Sequence, residues 1–127
     1  MIAVDTSALM AIVLNEPEAE ACIGVLESEE ATLISAGTLA EALIVADRRG
    51  VGRQMAYLVD GLGFEVVPIT GDAAHRIALA YQRWGKGAHP AGLNFGDCFA
   101  YVVATDRGCP LLFVGDDFSR TDVLSVL

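Results

Sequence analysis

Carboxylates carry most of the chemistry that this sequence could perform. Asp5 closes an apolar run, Ile2 to Val4, and Glu41 falls shortly after the apolar run Thr32 to Ser35. Asp97 interrupts an otherwise apolar stretch, and Asp116 with Asp117 follows the run Leu111 to Val114. Each acid taken singly could be a helix cap. Thr38-x-x-Glu41 has the spacing of a capping box, and Asn94 with Asp97 reads as an N-cap followed by an acid in the first helical turn. Taken together they suggest more, because capping does not require the acids to meet. Like charges about 4 Å apart repel by a few kcal/mol at an effective dielectric of about 20. A hard divalent cation relieves that repulsion, and an all-oxygen donor set suits Mg²⁺ or Mn²⁺ and the metal-assisted hydrolysis of phosphodiesters.

The elements that would bring these acids together follow from the pattern of the chain. Short continuous apolar runs at 2–4, 32–35, 64–69 and 111–114 read as buried strands. Between them lie helical patterns: a segment from Ser7 to Leu26 split near Asn15 and Pro17, then LAEALIVADRR closed by Gly50, then Gly52–Leu62, then Asp72–Trp84. The last helix opens at NFGDCF, where Phe95, Cys98, Phe99, Val102 and Val103 have the spacing of a buried stripe. Alternating buried strands and helices predict an α/β fold with a parallel sheet between helical layers. In such a fold strand C-termini and helix N-termini share one rim, so Asp5, Glu41, Asp97 and the Asp116–Asp117 pair are expected there.

Composition limits the partners. The 127 residues carry 17 acids against 8 bases, a net charge of −9, which argues against a general nucleic-acid binder. The charge is uneven, however. Glu16, Glu18, Glu20, Glu27, Glu29 and Glu30 form an acidic stretch that reads as a solvated helix face, whereas Arg48, Arg49, Arg53, Arg76, Arg83 and Lys86 occupy the middle of the chain. Cys22, Cys98 and Cys109 are odd in number and lack C-x-x-C spacing, which predicts reduced core thiols and a cytoplasmic protein. No apolar run approaches the ~20 residues of a membrane span, and no signal peptide is visible. Phosphate-binding glycine loops and a nucleophilic triad are both missing, and neither His75 nor His89 is needed for the chemistry above. Tyr57, Tyr81 and Trp84 read as core or interface aromatics.

With these residues placed, the sequence resembles the PIN-domain family, and within it the VapC-type ribonuclease toxins of toxin–antitoxin pairs. The resemblance spans the whole chain as one domain, 1–127. It rests on MIAVDTSALMAIVLNEPEAE, on SAGTLAEALIVADRRG and on GKGAHPAGLNFGDCFAYVVATDRGCPLLFVGDDFSRTDV. It implies a PIN-like fold with four or five parallel strands flanked by helices on both sides. Asp5, Glu41, Asp97 and Asp116 would be the catalytic acids, with Asp5 and Asp97 as the metal ligands and Ser7 and Asp117 in support. Many family members carry an Asp where this chain has Gly115, so the choice between Asp116 and Asp117 stays open, with Asp116 favoured.

The resemblance also implies Mg²⁺ (or Mn²⁺), an RNA substrate, a VapB-type antitoxin, a homodimer and no membrane. Arg48, Arg49, Arg53, Arg83 and Lys86 are the basic residues expected to track an RNA backbone. Two other folds put carboxylates on a similar rim. A receiver-type phospho-acceptor domain needs paired acids after its first strand and a late lysine, whereas this chain has Asp5-Thr6-Ser7 and, as its single lysine, Lys86. A haloacid-dehalogenase-like phosphatase needs D-x-D at that place. A PIN scaffold that binds RNA or a protein without cutting is the remaining alternative.

Overall fold

Three or four fully buried residues make each central strand. β1 (Ile2–Val4) and β2 (Thr32–Ser35) have no exposed position, as expected of strands covered on both faces. In a computed structural model that describes all 127 residues, β3 (Glu65–Val67) and β4 (Leu111–Leu112) complete a parallel four-stranded sheet of order β3-β2-β1-β4. A vestige of a fifth strand lies beyond β4. There Leu111 N–H donates to Leu124 O at 2.8 Å, and Leu111 bridges to Ser125 in parallel.

Side chains alternate across the sheet and feed two cores. Ile2, Val4, Ile34 and Leu112 pack with α1 (Thr6–Val13), α2 (Ala19–Ser28), α3 (Ala36–Arg48) and α4 (Gly52–Leu62). Ala3, Leu33, Leu111 and Phe113 pack with α5 (Gly71–Trp84) and α6 (Phe95–Arg107) on the other face. α5 and α6 are antiparallel. Arg76, early in α5, meets Asp106 near the end of α6, while Trp84, the last residue of α5, donates from Nε1 to Tyr101 Oη at 3.0 Å. The loop 85–93 then folds back, with Leu93 N–H on Trp84 O, and delivers Asn94 to the rim. All three cysteines are free and buried.

Several boundaries differ from the sequence reading, each for a physical reason. Ser35 is the N-cap of α3, its hydroxyl accepting from Gly37 N–H, so the helix begins before Thr38 and Glu41 lies in its second turn. The Thr38–Glu41 capping box is therefore absent. Pro17 stands in the turn that precedes α2. In α6 the stripe is right at Cys98, Val102 and Val103 but wrong at Phe95, which is 65% exposed because the helix starts beyond the cover of the sheet. Tyr101 and Ala104 are buried in its place.

Candidate active site

Asp5 is fixed by its own backbone. As N-cap of α1, its Oδ2 accepts from Ser7 N–H at 3.0 Å and from Ser7 Oγ at 2.7 Å. Ser7 Oγ accepts in turn from Val114 N–H at 3.0 Å, which ties the ends of β1 and β4 together. The other oxygen, Oδ1, is buried and has no partner. Burial pushes the Asp5 carboxyl up to about 6, with the Glu41 charge adding to it and the Ser7 hydrogen bonds opposing.

Asp97 reaches the same rim from the first turn of α6. Asp97 N–H donates to Asn94 Oδ1 at 2.8 Å and Asn94 N–H donates to Asp97 Oδ2 at 3.0 Å, the reciprocal capping box expected at this place. Even so, Asp97 is pushed up to about 7, first by burial and then by the charges of Asp5, Asp117 and Glu41. Four carboxylates from four segments thus act on one another, a concentration that capping alone does not need.

Glu41 is placed by contacts that local sequence does not announce. Thr6 Oγ1 donates to Glu41 Oε1 at 2.6 Å, which joins the first residue of α1 to the second turn of α3. On its far side the carboxylate lies against Gly96, where a Cβ would collide with Oε2. Gly37, a turn before Glu41 in α3, permits a second close approach, since a Cβ there would stand 2.7 Å from the Phe99 ring. Thr6, Gly37 and Gly96 escaped the sequence reading. A glycine inside a helix is unfavourable by about 1 kcal/mol relative to Ala, and that disfavoured choice was the available signal of a close approach.

The turn after β4 carries both candidates for the fourth acid, Asp116 and Asp117. Gly115 has φ +97°, a conformation that L side chains rarely adopt and glycine adopts freely. Asp116 and Asp117 are both exposed, but Asp117 is the one whose charge raises Asp97. Of the basic residues, Arg83 and Lys86 stand at the rim end of α5, beside Leu93 and Asn94. Arg48, Arg49 and Arg53 do not. A 13-residue helix is about 20 Å long, so the end of α3 lies well away from the acids at its start.

Known proteins share this fold. A family model described as the PIN domain matches residues 2–124. The chain belongs to the PIN-domain family. A "Ribonuclease VapC" of Mycolicibacterium smegmatis is 41% identical over 97% of this chain and 98% of its own. The crystal structure of Mycobacterium tuberculosis VapC20, described as a sarcin–ricin loop cleaving toxin, superposes with a TM-score of 0.79 at 18% identity, covering 98% and 97% of the two chains. A toxin–antitoxin complex from Klebsiella pneumoniae gives 0.73 at 19% identity over 100% and 97%.

The residues of this PIN domain fit a divalent cation. Asp5 and Asp97 are buried, mutually repelling carboxylates, and one of their oxygens is orphaned. No three His, Cys, Asp or Glu side chains stand close enough to enclose an ion by themselves. Two carboxylates completed by water is the coordination Mg²⁺ prefers. No helix is long and apolar enough to cross a membrane.

Proposed function

We propose that this chain, as a single PIN domain over 1–127, is a Mg²⁺-dependent endoribonuclease of VapC type, the toxin of a toxin–antitoxin pair. The observation that carries the reading is the unpaired Oδ1 of buried Asp5 beside an Asp97 raised to about 7, in a chain 41% identical to a VapC ribonuclease. Asp5 and Asp97 hold the cation, which when bound supplies a Lewis acid for the phosphodiester and lowers the pKa of the attacking water.

The chain's own groups do the positioning. Ser7 holds the Asp5 carboxylate from below, and the Asn94 N–H holds Asp97. Glu41, steadied by Thr6, is placed to orient the water and accept its proton. Asp117, in preference to Asp116, is the fourth acid and acts at longer range. No histidine takes part.

An antitoxin of VapB type is the partner. The groove of about 660 Å³ between α1 and α4, lined by Ile12, Val13, Tyr57, Leu58 and Leu62, suits an apolar helix from it. Leu43 and Ile44 on α3 and Leu79 on α5 are exposed, and with a mean hydropathy of +0.48 they favour a homodimer. The free buried thiols suit a reducing cytoplasm.

The test is cleavage of total cellular RNA by the purified, antitoxin-free protein with Mg²⁺, Mn²⁺ or EDTA, beside Asp97→Asn. Discrete fragments that need the metal and vanish in the variant are expected. Metal binding with no cleavage of any RNA would instead leave a binding scaffold.

A further inference from the structure

Phe95 is the first residue of α6, adjoins the N-cap and stands two positions before Asp97, and the residue is 65% exposed. It is nevertheless braced. Its ring meets that of Phe99 edge-on at 4.8 Å and 68°, and Phe99 is pressed against α3 at Gly37. At about 100° per residue, Phe95 and Asp97 flank Gly96, the position over which the Glu41 carboxylate lies. Phe95 therefore exposes an aromatic side chain one residue from the position that the Glu41 carboxylate covers. The other strongly exposed aromatic, Tyr57, lines the α1–α4 groove and is braced by no second ring.

Charge makes the surface informative. A chain of net charge −9 has few cations to offer a polyanion at this rim. Arg83, at the rim end of α5, covers the Trp84 ring and pairs with Asp122 at 3.6 Å. Stacking of a nucleobase on an aromatic ring needs no charge, and every base has a face for it.

We propose that Phe95 is a stacking platform for an unpaired base of the RNA beside the scissile phosphate, a residue that positions substrate rather than reacts with it. The inference rests on the nuclease reading above. It predicts that single-stranded or looped RNA is preferred over duplex, because a paired base cannot present its face to the ring.

The experiment is steady-state cleavage, with Mg²⁺, of total cellular RNA and of a single-stranded oligonucleotide copied from a site cut in it, by the wild type and by Phe95→Ala, Phe95→Leu and Phe95→Trp. Phe95→Ala and Phe95→Leu should raise KM about 10- to 100-fold with little change in kcat, and Phe95→Trp should restore it. Phe95→Leu keeps the apolar bulk, so full activity in that variant would overturn stacking. Light scattering on the same samples provides a second check, since conversion of a dimer to monomers by Phe95→Ala would make the ring an interface between copies and overturn the proposal. If the wild type cleaves no RNA the nuclease reading itself fails, whereas cleavage indifferent to all three substitutions refutes only the platform.

Discussion

The two ends of α6 treat charge in opposite ways. At its C-terminus Arg107 Nη2 meets Glu65 at 2.7 Å, and Asp106 takes both Nε and Nη2 of Arg76 at 2.8 Å, every side chain at least one third exposed. At its N-terminus Asp97 is buried, and the charges of Asp5, Asp117 and Glu41 raise it further. Exposed opposite charges in pairs add little to stability and ask little of the fold. Buried like charges oppose folding, and the chain retains them only by fixing each with a cap, a hydroxyl or a close-packed glycine. The contrast separates the end of the helix that maintains the fold from the end where the fold stores repulsion that a ligand can relieve.

The largest effect should come from removing one of the repelling charges. Asp97→Asn keeps an oxygen to accept the Asn94 N–H but loses the negative charge. Cleavage should fall below detection, while the midpoint of thermal unfolding in EDTA should rise. Wild type should gain about 10 °C at Mg²⁺ about a hundredfold above its Kd, and the variant much less. A variant less stable than wild type in EDTA would show that the N-terminal end is not under electrostatic strain.

The same strain sets a pH dependence. Asp97 and Asp5 titrate near 7 and 6 when folded, above the value of 3.8 for a free carboxyl, so between about pH 4 and pH 7 the folded state binds more protons than the unfolded chain. Stability of the metal-free protein should therefore fall as pH rises through that window, by on the order of a few kcal/mol. Saturating Mg²⁺ should flatten the slope, since the cation favours the ionised acids. Denaturant unfolding between about pH 5 and pH 8, with and without EDTA, measures both. A flat metal-free profile would contradict the raised values.

A smaller effect is expected at Thr6. Thr6→Val preserves shape in a buried position but removes the hydroxyl that holds Glu41 at 2.6 Å. Cleavage should drop about 10- to 100-fold, the range found when a partner of a metal-site residue is lost, with stability changed by about 1 kcal/mol. Unchanged turnover would mean that Gly96 and the α3 backbone fix Glu41 without help.

How much of this was legible in the sequence depended on how local each signal is. Asp5 and Asp97 announce themselves because a strand end and an N-cap are written within a few neighbouring residues, and the Asn94–Asp97 box is present as expected. Glu41 was placed on the right rim for the wrong reason. The Thr38-x-x-Glu41 spacing suggests a later helix start, whereas Ser35 caps the helix and Gly37 lies inside it because the Phe99 ring occupies the space of its missing side chain. Phe95 followed the helical period yet is exposed, since periodicity does not tell where a helix outruns the sheet beneath it. Arg48 and Arg49 close α3 and so stand about 20 Å from the acid-bearing rim, a separation that their place in the linear sequence does not reveal.

The smallest expected effect lies at the other end of α6, and it is the one that tests whether the contrast is a property of the site or of the helix. Arg76→Ala and Arg107→Ala each break one exposed pair, so each should lower stability by no more than about 1 kcal/mol, and less at high salt. Neither should alter the Mg²⁺-induced thermal shift or the pH slope, because the unpaired Asp106 or Glu65 is left in water. If either substitution instead changed the metal response, strain would be travelling the length of α6. The acid cluster would then be set by the whole α5–α6 layer rather than by the Asn94 cap, Thr6 and Gly96.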